Sequence, residues 1–338
     1  RLDEDIRAIL SAGHIEVRTN TKIGRDIAVE EIRSGYDAAY IAVGAQIGKK
    51  LKLDGSDAEG VFSAVEMLEK IGEGTVPDYS GKKVAVIGGG NVAMDCARTS
   101  VRAGAEEVTI VYRRRKDDMT ALDTEIEGAV MEGVELMTLM APDRIEKDAQ
   151  GRCKGLWVRP QMIGPYRSGR PAPLDNGEEP VLLECDVVLI AVGQDIESAP
   201  FEASGIPVER SRITADETCR VQGAEGFYSG GDCVTGPATV IKAIAAGKVA
   251  AYHIDRDLGY AHTPACEADR PLVRPNNTQP TGRVNITERE ARARKNDFEH
   301  VENEMSPAEA AQETSRCLRC DYFGCGATFD GVDTVYGW

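Results

Sequence analysis

The fold is decided by the stretch Val84-Ala85-Val86-Ile87-Gly88-Gly89-Gly90-Asn91-Val92-Ala93. A β-branched run meets a glycine turn there and a helical pattern follows, which makes G-x-G-x-x-A a dinucleotide fingerprint. Gly88 allows the tight turn, Gly90 lets the backbone approach a pyrophosphate, and Ala93 keeps the helix close to the strand, so that the helix N-terminus faces the anion. The stretch predicts a dinucleotide site formed by Gly88, Gly90, Asn91, Val92 and Ala93. The alternative is a glycine-rich turn in an α/β domain that binds no nucleotide.

Apolar runs that end in glycine recur along the chain, at residues 40–44, 187–193 and 227–230. Continuous apolar runs are typical of strands that are covered on both faces, and helical patterns separate these runs. The helix after Asn91 and the apolar run at residues 108–112 complete one βαβ unit. The pattern therefore predicts an α/β fold with parallel sheets.

The residues after the run at 108–112 indicate which nucleotide is bound. An NAD site usually has Asp or Glu there to hold the ribose 2′-hydroxyl group. Here Arg113, Arg114, Arg115 and Lys116 precede the first acid, Asp117. A guanidinium group can pair bidentately with a 2′-phosphate, so we expect Arg113 and Arg114 to bind NADP. The alternative is a solvated basic loop.

The charge of the chain excludes one class of partner. Asp and Glu number 56 against 40 Lys and Arg, which gives a formal net charge of -16. Such a chain is a poor candidate for binding nucleic acid along its surface. No apolar run approaches the roughly 20 residues that span a bilayer, and an odd count of nine cysteines suits a reducing compartment. We expect a cytoplasmic protein with no membrane span.

A cysteine cluster lies near the C-terminus, after a helix expected to begin at Ser306. Cys317, Cys320 and Cys325 fall within nine residues, and cysteine thiolates are the usual ligands of iron–sulfur clusters. A 4Fe–4S cluster would take its fourth ligand from Cys266, the nearest cysteine upstream, or from a partner. Zinc and free thiols in a turn are the alternatives.

Residues 1 to about 258 resemble the NADPH-dependent, flavin-containing small subunit of glutamate synthase and its relatives, in the pyridine nucleotide-disulfide oxidoreductase superfamily. The matching stretches are residues 16–21, 36–45, 88–99, 112–114, 186–193 and 231–239. The resemblance implies two Rossmann-like dinucleotide-binding domains, with the NADP domain inserted in an incomplete FAD domain. The implied boundaries are 1–80 for the first part of the FAD domain, 81–198 for the NADP domain, 199–258 for the return of the FAD domain, and 259–338 for a C-terminal extension with the cysteine cluster.

The resemblance also implies a flavin site. Gly231 and Asp232 lie where the family's carboxylate binds the flavin side chain. Pro237, Ala238 and Thr239 would begin a helix whose N-terminus faces the isoalloxazine ring, and its dipole would stabilise the negative charge of reduced flavin. Gly44 and Gly193 end the two Ala-Val-Gly runs and complete the expected cofactor-binding residues. We expect no catalytic side chain, because hydride transfer from nicotinamide to flavin needs none.

The family has a first G-x-G-x-x-G that holds the ADP part of FAD, and this sequence contains only the fingerprint at residues 88–93. We therefore expect an N-terminally truncated chain, or one whose other half is a separate subunit, and weak or absent FAD binding by this chain alone.

The expected function is transfer of electrons from NADPH through FAD to an electron-accepting protein subunit, with an iron–sulfur centre as a further carrier if the cysteine cluster holds one. Two alternatives stay open. The chain could be a non-catalytic Rossmann scaffold or electron-conduit subunit, or it could be a self-contained flavin disulfide reductase, which needs a redox-active dithiol beside the flavin.

Overall fold

A computed structural model describes residues 2–167, 169–262 and 281–316. Residues 2–44 and 196–262 form one compact unit, called the first unit here; residues 45–195 and 281–316 form the second unit. The chain passes between the units after Gly44 and again after Asp195. The cofactor domains expected at residues 1–80, 81–198 and 199–258, and the extension at 259–338, stay a prediction.

The secondary structure alternates between strands and helices along much of the chain. The strands are β1 (Ala39–Ile41), β2 (Ile47–Gly48), β3 (Val61–Ser63), β4 (Lys83–Ile87), β5 (Glu107–Tyr112), β6 (Glu135–Thr138), β7 (Met140–Lys147), β8 (Cys153–Arg167), β9 (Arg170–Asp175), β10 (Val181–Glu184), β11 (Val187–Ile190), β12 (Gln194–Asp195) and β13 (Phe227–Ser229). The helices are α1 (Leu2–Ser11), α2 (Val29–Gly35), α3 (Ala64–Gly72), α4 (Asn91–Arg102), α5 (Asp123–Met131), α6 (Ala199–Ala203), α7 (Asp232–Thr235), α8 (Val240–Asp257), α9 (Ala291–Arg294) and α10 (Pro307–Ser315).

The second unit is built on a five-stranded parallel sheet in the order β3-β11-β4-β5-β6. Four consecutive residues of its central strand β4, from Val84 to Ile87, are each at most 3% exposed. Such continuous burial is typical of a parallel sheet with both faces covered. The α/β fold class expected from the sequence is confirmed, and the strand order reverses between β4 and β11, where such sheets bind ligands.

Helix α4 packs against this sheet by a stripe of small and sulfur-containing side chains. Ala93, Met94, Cys96 and Ala97 are fully buried. Val92 is only partly buried and packs at the margin of the core. Alanine at position 93 lets the helix approach the sheet closely. Since α4 follows the carboxyl end of β4 after a short turn, its N-terminus lies at that edge of the sheet.

An antiparallel sheet, which was not predicted from the sequence, is inserted between β6 and β11. The first half of β8 pairs with β7 and β10, and its second half forms a hairpin with β9. The cross-strand pair at the end of this hairpin is Arg167 with Arg170. The second unit therefore combines a parallel sheet with an antiparallel arm.

The first unit contains a short parallel pair in which β1 lies beside β13, with Ala39 opposite Phe227. The side chains of β13 are buried, and helix α8 follows it. Helix α1 has no buried residue. Within the described parts of the chain, no helix is long and apolar enough to cross a bilayer.

Residues 281–316 fold onto the second unit. As expected, a helix begins after Ser306: its hydroxyl oxygen accepts a hydrogen bond from the backbone N–H of Glu309 at 3.3 Å, in a capping box. This helix, α10, ends at Ser315. Cys317, Cys320 and Cys325, and also Cys266, lie outside the described residues.

Candidate dinucleotide site

The turn between β4 and α4 needs glycine at two positions because of packing. Gly88 has φ +153°, and a Cβ atom there would lie 2.4 Å from the carbonyl oxygen of Ala191. A Cβ atom at Gly89 would lie 2.6 Å from the ring of Tyr112. These two glycines let neighbouring strands and the turn approach one another.

Gly90 is different, because little of the protein approaches it. Its backbone is extended, with φ −105° and ψ 176°. A Cβ atom there would meet only the Thr120 hydroxyl oxygen, at 3.3 Å. The space next to Gly90 is therefore open to a ligand, as the fingerprint predicts.

The first turn of α4 offers unused hydrogen-bond donors. Ala93 and Met94 donate their backbone N–H groups to the carbonyl of Gly90, at 2.9 and 3.3 Å. The backbone N–H groups of Asn91 and Val92 have no acceptor among the described residues, as is usual at a helix N-terminus. No acidic side chain lies in this turn. Two free donors and the positive end of the helix dipole can therefore bind an anion.

The side chain of Asn91 is used within the fold. Its Oδ1 accepts a hydrogen bond from the backbone N–H of Leu122 at 3.0 Å. This contact fixes the start of α4 against the loop that precedes α5, so the turn is held in place without a bound nucleotide.

The three arginines after β5 have different surroundings. Arg115 binds Asp118 in a bidentate pair, with N–O distances of 2.8 and 2.9 Å, and its hydrogen bond lowers the pKa of the Asp118 carboxyl group. Arg114 donates from Nε to the carbonyl of Pro171 at 2.7 Å. Arg113 is exposed and forms no hydrogen bond or ion pair with other described residues. Arg113 and Arg114 thus form no ion pair with a carboxylate in the described structure, although the charge of Arg114 also helps to lower the pKa of Asp118.

Gly193 lies beyond the carboxyl end of β11, which neighbours β4, and its carbonyl accepts the N–H of Lys49 at 3.0 Å. A cavity of about 280 Å³ opens at the same edge of the sheet, lined by Val65, Leu68, Val92 and Gln194 among others. The structure therefore brings Gly193 to the same edge as the glycine turn. Gly44 lies at the end of the first unit.

The expected flavin residues form a compact loop in the first unit. Gly231 has φ +74° and begins the short helix α7. Oδ1 of Asp232 accepts the backbone N–H of Ala238 at 3.1 Å. After Pro237 the loop ends at Thr239, whose hydroxyl oxygen caps α8 by accepting the N–H of Lys242 at 3.4 Å. Asp232 thus holds the loop against the N-terminus of α8.

The described part of the chain exposes no cysteine side chain. The cysteines there are all buried, free thiols: Cys96, Cys153, Cys185, Cys219 and Cys233. Burial raises the pKa of Cys96 to about 12, which keeps this thiol protonated. Among the described residues, no three His, Cys, Asp or Glu side chains converge as a metal site.

The hairpin formed by β8 and β9 also contacts the arginines after β5, and this contribution was not predicted from the sequence. Besides Pro171, which binds Arg114, the hydroxyl oxygen of Tyr166 lies 3.4 Å from Nη2 of Arg115. One sequence signal could have indicated this hairpin: Arg167 and Arg170 flank a glycine, which is typical of a turn with basic residues on both sides.

Comparison with known proteins agrees with this geometry. Residues 1–247 match the family described as pyridine nucleotide-disulphide oxidoreductase. The chain is 34% identical over 331 residues to the NADP(+)-dependent formate dehydrogenase subunit beta of Moorella thermoacetica, which covers 94% of this chain and 46% of the relative. It is 34% identical over 268 residues to the glutamate synthase (NADPH) small chain of Escherichia coli, and the matched region covers 72% of this chain and 55% of the relative.

Among solved structures, a point mutant of FprA from Mycobacterium tuberculosis matches with a TM-score of 0.61 and 22% identity, over 71% of this chain and 68% of that one. This likeness supports the fold class. The chain spans about half the length of the curated relatives it matches. The family match extends over most of the chain and includes both the glycine turn and the Asp232 loop, so the superfamily expected from the sequence is confirmed. The chain belongs to the pyridine nucleotide-disulphide oxidoreductase family.

Proposed function

We propose that the second unit binds NADPH along the carboxyl edge of its parallel sheet, as the electron donor of a flavoprotein oxidoreductase. The observation that carries the proposal is the open backbone at Gly90, next to the free N–H groups of Asn91 and Val92. A pyrophosphate held there would receive both donors and the helix dipole. When bound, NADPH supplies a hydride, so the protein has to bind and orient the nucleotide rather than provide an acid or a base.

The preference for NADPH over NADH is assigned to Arg113 and Arg114. Both follow β5 directly, where the adenosine ribose is expected. Neither has a carboxylate partner in the described structure, although the chain as a whole is acidic. Their charges are thus available to a 2′-phosphate. The cavity near Val92 and Gln194 lies on the other side of the turn and suits the nicotinamide end.

We propose that the loop at residues 231–239 in the first unit binds FAD. Oδ1 of Asp232 is used by Ala238, while Oδ2 has no partner among the described residues and can accept from flavin hydroxyl groups. At the start of α8, Val240 and Ile241 are 75% and 79% exposed and offer apolar surface to a flavin ring. The N-terminus of this helix suits the negative charge of reduced flavin.

The proposed acceptor of the electrons is a partner protein in the cytoplasm. Two relatives are named as a subunit beta of formate dehydrogenase and a small chain of glutamate synthase, which supports a role within a complex. We propose that Cys317, Cys320 and Cys325 bind an iron–sulfur cluster. Anaerobic purification followed by iron, sulfide and zinc analysis tests this part: zinc without iron, or neither metal, would contradict it.

Calorimetric titration of the purified chain with NADPH and NADH at fixed salt tests the nucleotide proposal. We expect NADPH to bind about 10-fold or more tightly than NADH, because a hydrogen bond to a charged group contributes roughly 1.5–3 kcal/mol. Lys82→Ala is the control, since Lys82 precedes β4 at the opposite edge of the sheet, and it should leave both affinities unchanged.

Absence of binding to either nucleotide would instead support a scaffold that lacks redox function. A disulfide reductase would expose additional thiols when NADPH and FAD are added together. We expect the thiol count by titration to stay constant, because the described cysteines are buried and do not form disulfides.

A further inference from the structure

Two distant parts of the second unit meet beside the end of β5. One is the loop that contains Arg114 and Arg115. The other is the hairpin tip, defined here by Tyr166, Arg167, Arg170 and Pro171. The tip is fixed to the loop by the hydrogen bond from Arg114 to the Pro171 carbonyl, 2.7 Å, and by the contact of Arg115 with the Tyr166 hydroxyl, 3.4 Å. The hairpin is thus placed at the edge where the nucleotide is proposed to bind.

The hairpin tip adds positive charge to this edge. Arg167 and Arg170 are exposed and lie opposite each other as the last cross-strand pair of the hairpin. Neither forms an ion pair with a carboxylate in the described residues. Like charges directly opposite each other destabilise a β-hairpin. Two such arginines on a hairpin whose Pro171 carbonyl binds Arg114, in a chain with a net charge of -16, indicate that the hairpin is adapted to an anion.

We propose that the hairpin tip is the second half of the 2′-phosphate subsite, in which Arg167 and Arg170 bind the phosphate opposite Arg113. This inference rests on the proposed binding of NADPH. Tyr166 is a positioning residue: through Arg115, which is also held by Asp118, it fixes the loop against the hairpin. A dianionic phosphate is the ligand that suits a set of guanidinium groups supplied from two sides.

The test compares two ligand pairs that differ only by the 2′-phosphate, NADPH with NADH and 2′-phospho-AMP with AMP. The variant is Arg167→Ala/Arg170→Ala, titrated at fixed low salt. We expect NADPH and 2′-phospho-AMP to bind about 10-fold or more weakly, while NADH and AMP change by less than about twofold. Unchanged NADH binding also shows that the variant is folded.

Lys154→Ala is the matched control, because Lys154 is exposed on the same strand β8 but lies at its opposite end. It should not change the affinity for any of the four ligands. Tyr166→Phe removes only the hydroxyl group that meets Arg115, so it should weaken NADPH less than the double variant and leave NADH unchanged.

Two results would overturn the inference, and they differ in what else they overturn. If the wild type prefers NADPH and the double variant binds it equally well, or loses NADPH and NADH alike, the hairpin is not part of the subsite while the proposed function stands. If the wild type binds neither NADPH nor 2′-phospho-AMP, both the proposed function and the subsite are wrong.

Discussion

Arg294 donates from Nε to a carboxylate oxygen of Glu132 at 2.9 Å, and the two side chains are 1% and 0% exposed. The same carboxylate also accepts hydrogen bonds from the guanidinium groups of Arg98 and Arg102, at N–O distances of 2.8 and 2.7 Å. Glu132 directly follows α5, whereas Arg98 and Arg102 belong to α4, the helix that begins at the glycine turn. One buried carboxylate therefore connects residues 281–316 to the helix proposed to bind the nucleotide.

Replacing Glu132 by Gln should strongly destabilise the second unit. The substitution keeps the shape of the side chain but leaves three buried or half-buried arginines without this negative charge. We expect the free energy of unfolding to fall by about 3–5 kcal/mol, the usual effect of removing one partner of a buried ion pair. Urea unfolding followed by circular dichroism measures the change.

The matched control is Glu125→Gln. Among the described residues, the Glu125 side chain pairs with Arg98 alone, and it is 34% exposed. It should therefore lower the free energy of unfolding by no more than about 1 kcal/mol. If the free energy of unfolding fell equally in the two variants, the buried ion pairs of Glu132 would contribute no more to stability than the exposed pair of Glu125.

The same carboxylate should make the stability of the protein depend on acid pH. Burial by itself raises the pKa of Glu132, but hydrogen bonds from Arg98 and Arg102 outweigh burial and lower it from 4.5 to about 2. A group with a lowered pKa stabilises the fold above its unfolded pKa, and this contribution is lost as the pH falls through the folded pKa. Urea titrations of wild type and Glu132→Gln at a series of pH values should thus differ by a constant amount above pH 4.5 and converge toward pH 2. A difference that stays constant down to pH 2 would contradict the assignment.

Substitutions at two neighbouring glycines should have different effects: one should lower the stability of the fold and the other the affinity for NADPH. Gly89→Ala places a methyl group 2.6 Å from the Tyr112 ring, so we expect it to cost about 1–3 kcal/mol of stability by overpacking. Gly90→Ala meets only Thr120, at 3.3 Å, and should change stability by less than about 1 kcal/mol. Its methyl group would instead occupy the space proposed for the pyrophosphate, so NADPH affinity should fall about 10-fold or more.

Thermal unfolding measures the stability of both variants, and titration with NADPH measures their affinity for the nucleotide. If Gly90→Ala binds NADPH as tightly as the wild type, the nucleotide does not approach the backbone at this position.

The glycine turn could be predicted from the sequence because its signal is local: one strand, one turn and one helix follow each other within 20 residues. The antiparallel sheet could not be predicted in the same way. Pro160 and Pro165 interrupt β8, and Pro171 and Pro173 interrupt β9, whereas proline normally argues against a strand. Pairing with neighbouring strands outweighs this local preference.

The ion pairs between Glu132 and Arg98, Arg102 and Arg294 could not be predicted from local sequence patterns either. Glu132 and Arg294 are 162 positions apart, and nothing in either segment indicates the contact. The same holds for Arg114, which looked like a free basic residue and is fixed to the hairpin by Pro171. The sequence predicted which residues could bind a phosphate, but only the fold shows which of them the protein already uses.

Among the three arginines after β5, Arg113 should determine nucleotide preference with the least effect on the fold. Arg113 has no contact to lose among the described side chains, whereas Arg115 binds Asp118. We expect Arg113→Ala to weaken NADPH binding about 10-fold or more and to leave NADH and thermal stability unchanged. Arg113→Ala/Arg114→Ala should have a larger effect. Arg115→Ala is the comparison: it should lower stability, because it removes the pair with Asp118, and it should weaken NADPH binding less than Arg113→Ala does, because Arg115 only positions the loop. A larger loss of NADPH affinity in Arg115→Ala than in Arg113→Ala would reassign the phosphate contact.

Flavin binding by the 338-residue chain alone should be weak. FAD is a large dinucleotide, and the only G-x-G-x-x-A in the sequence belongs to the second unit. The loop at residues 231–239 can contact the flavin end, but a pyrophosphate site contributes several charge-assisted hydrogen bonds, each of roughly 1.5–3 kcal/mol. Because every 1.4 kcal/mol changes an affinity tenfold, the lack of even two such bonds weakens binding by about 100-fold or more.

We expect the purified chain to show little visible flavin absorption per mole of protein. Asp232→Asn should abolish the residual binding seen on titration with FAD. Asp216→Asn, at another turn of the first unit, should leave that residual binding unchanged. A stoichiometric yellow flavin spectrum from this chain alone would show that the first unit holds FAD without a second glycine turn.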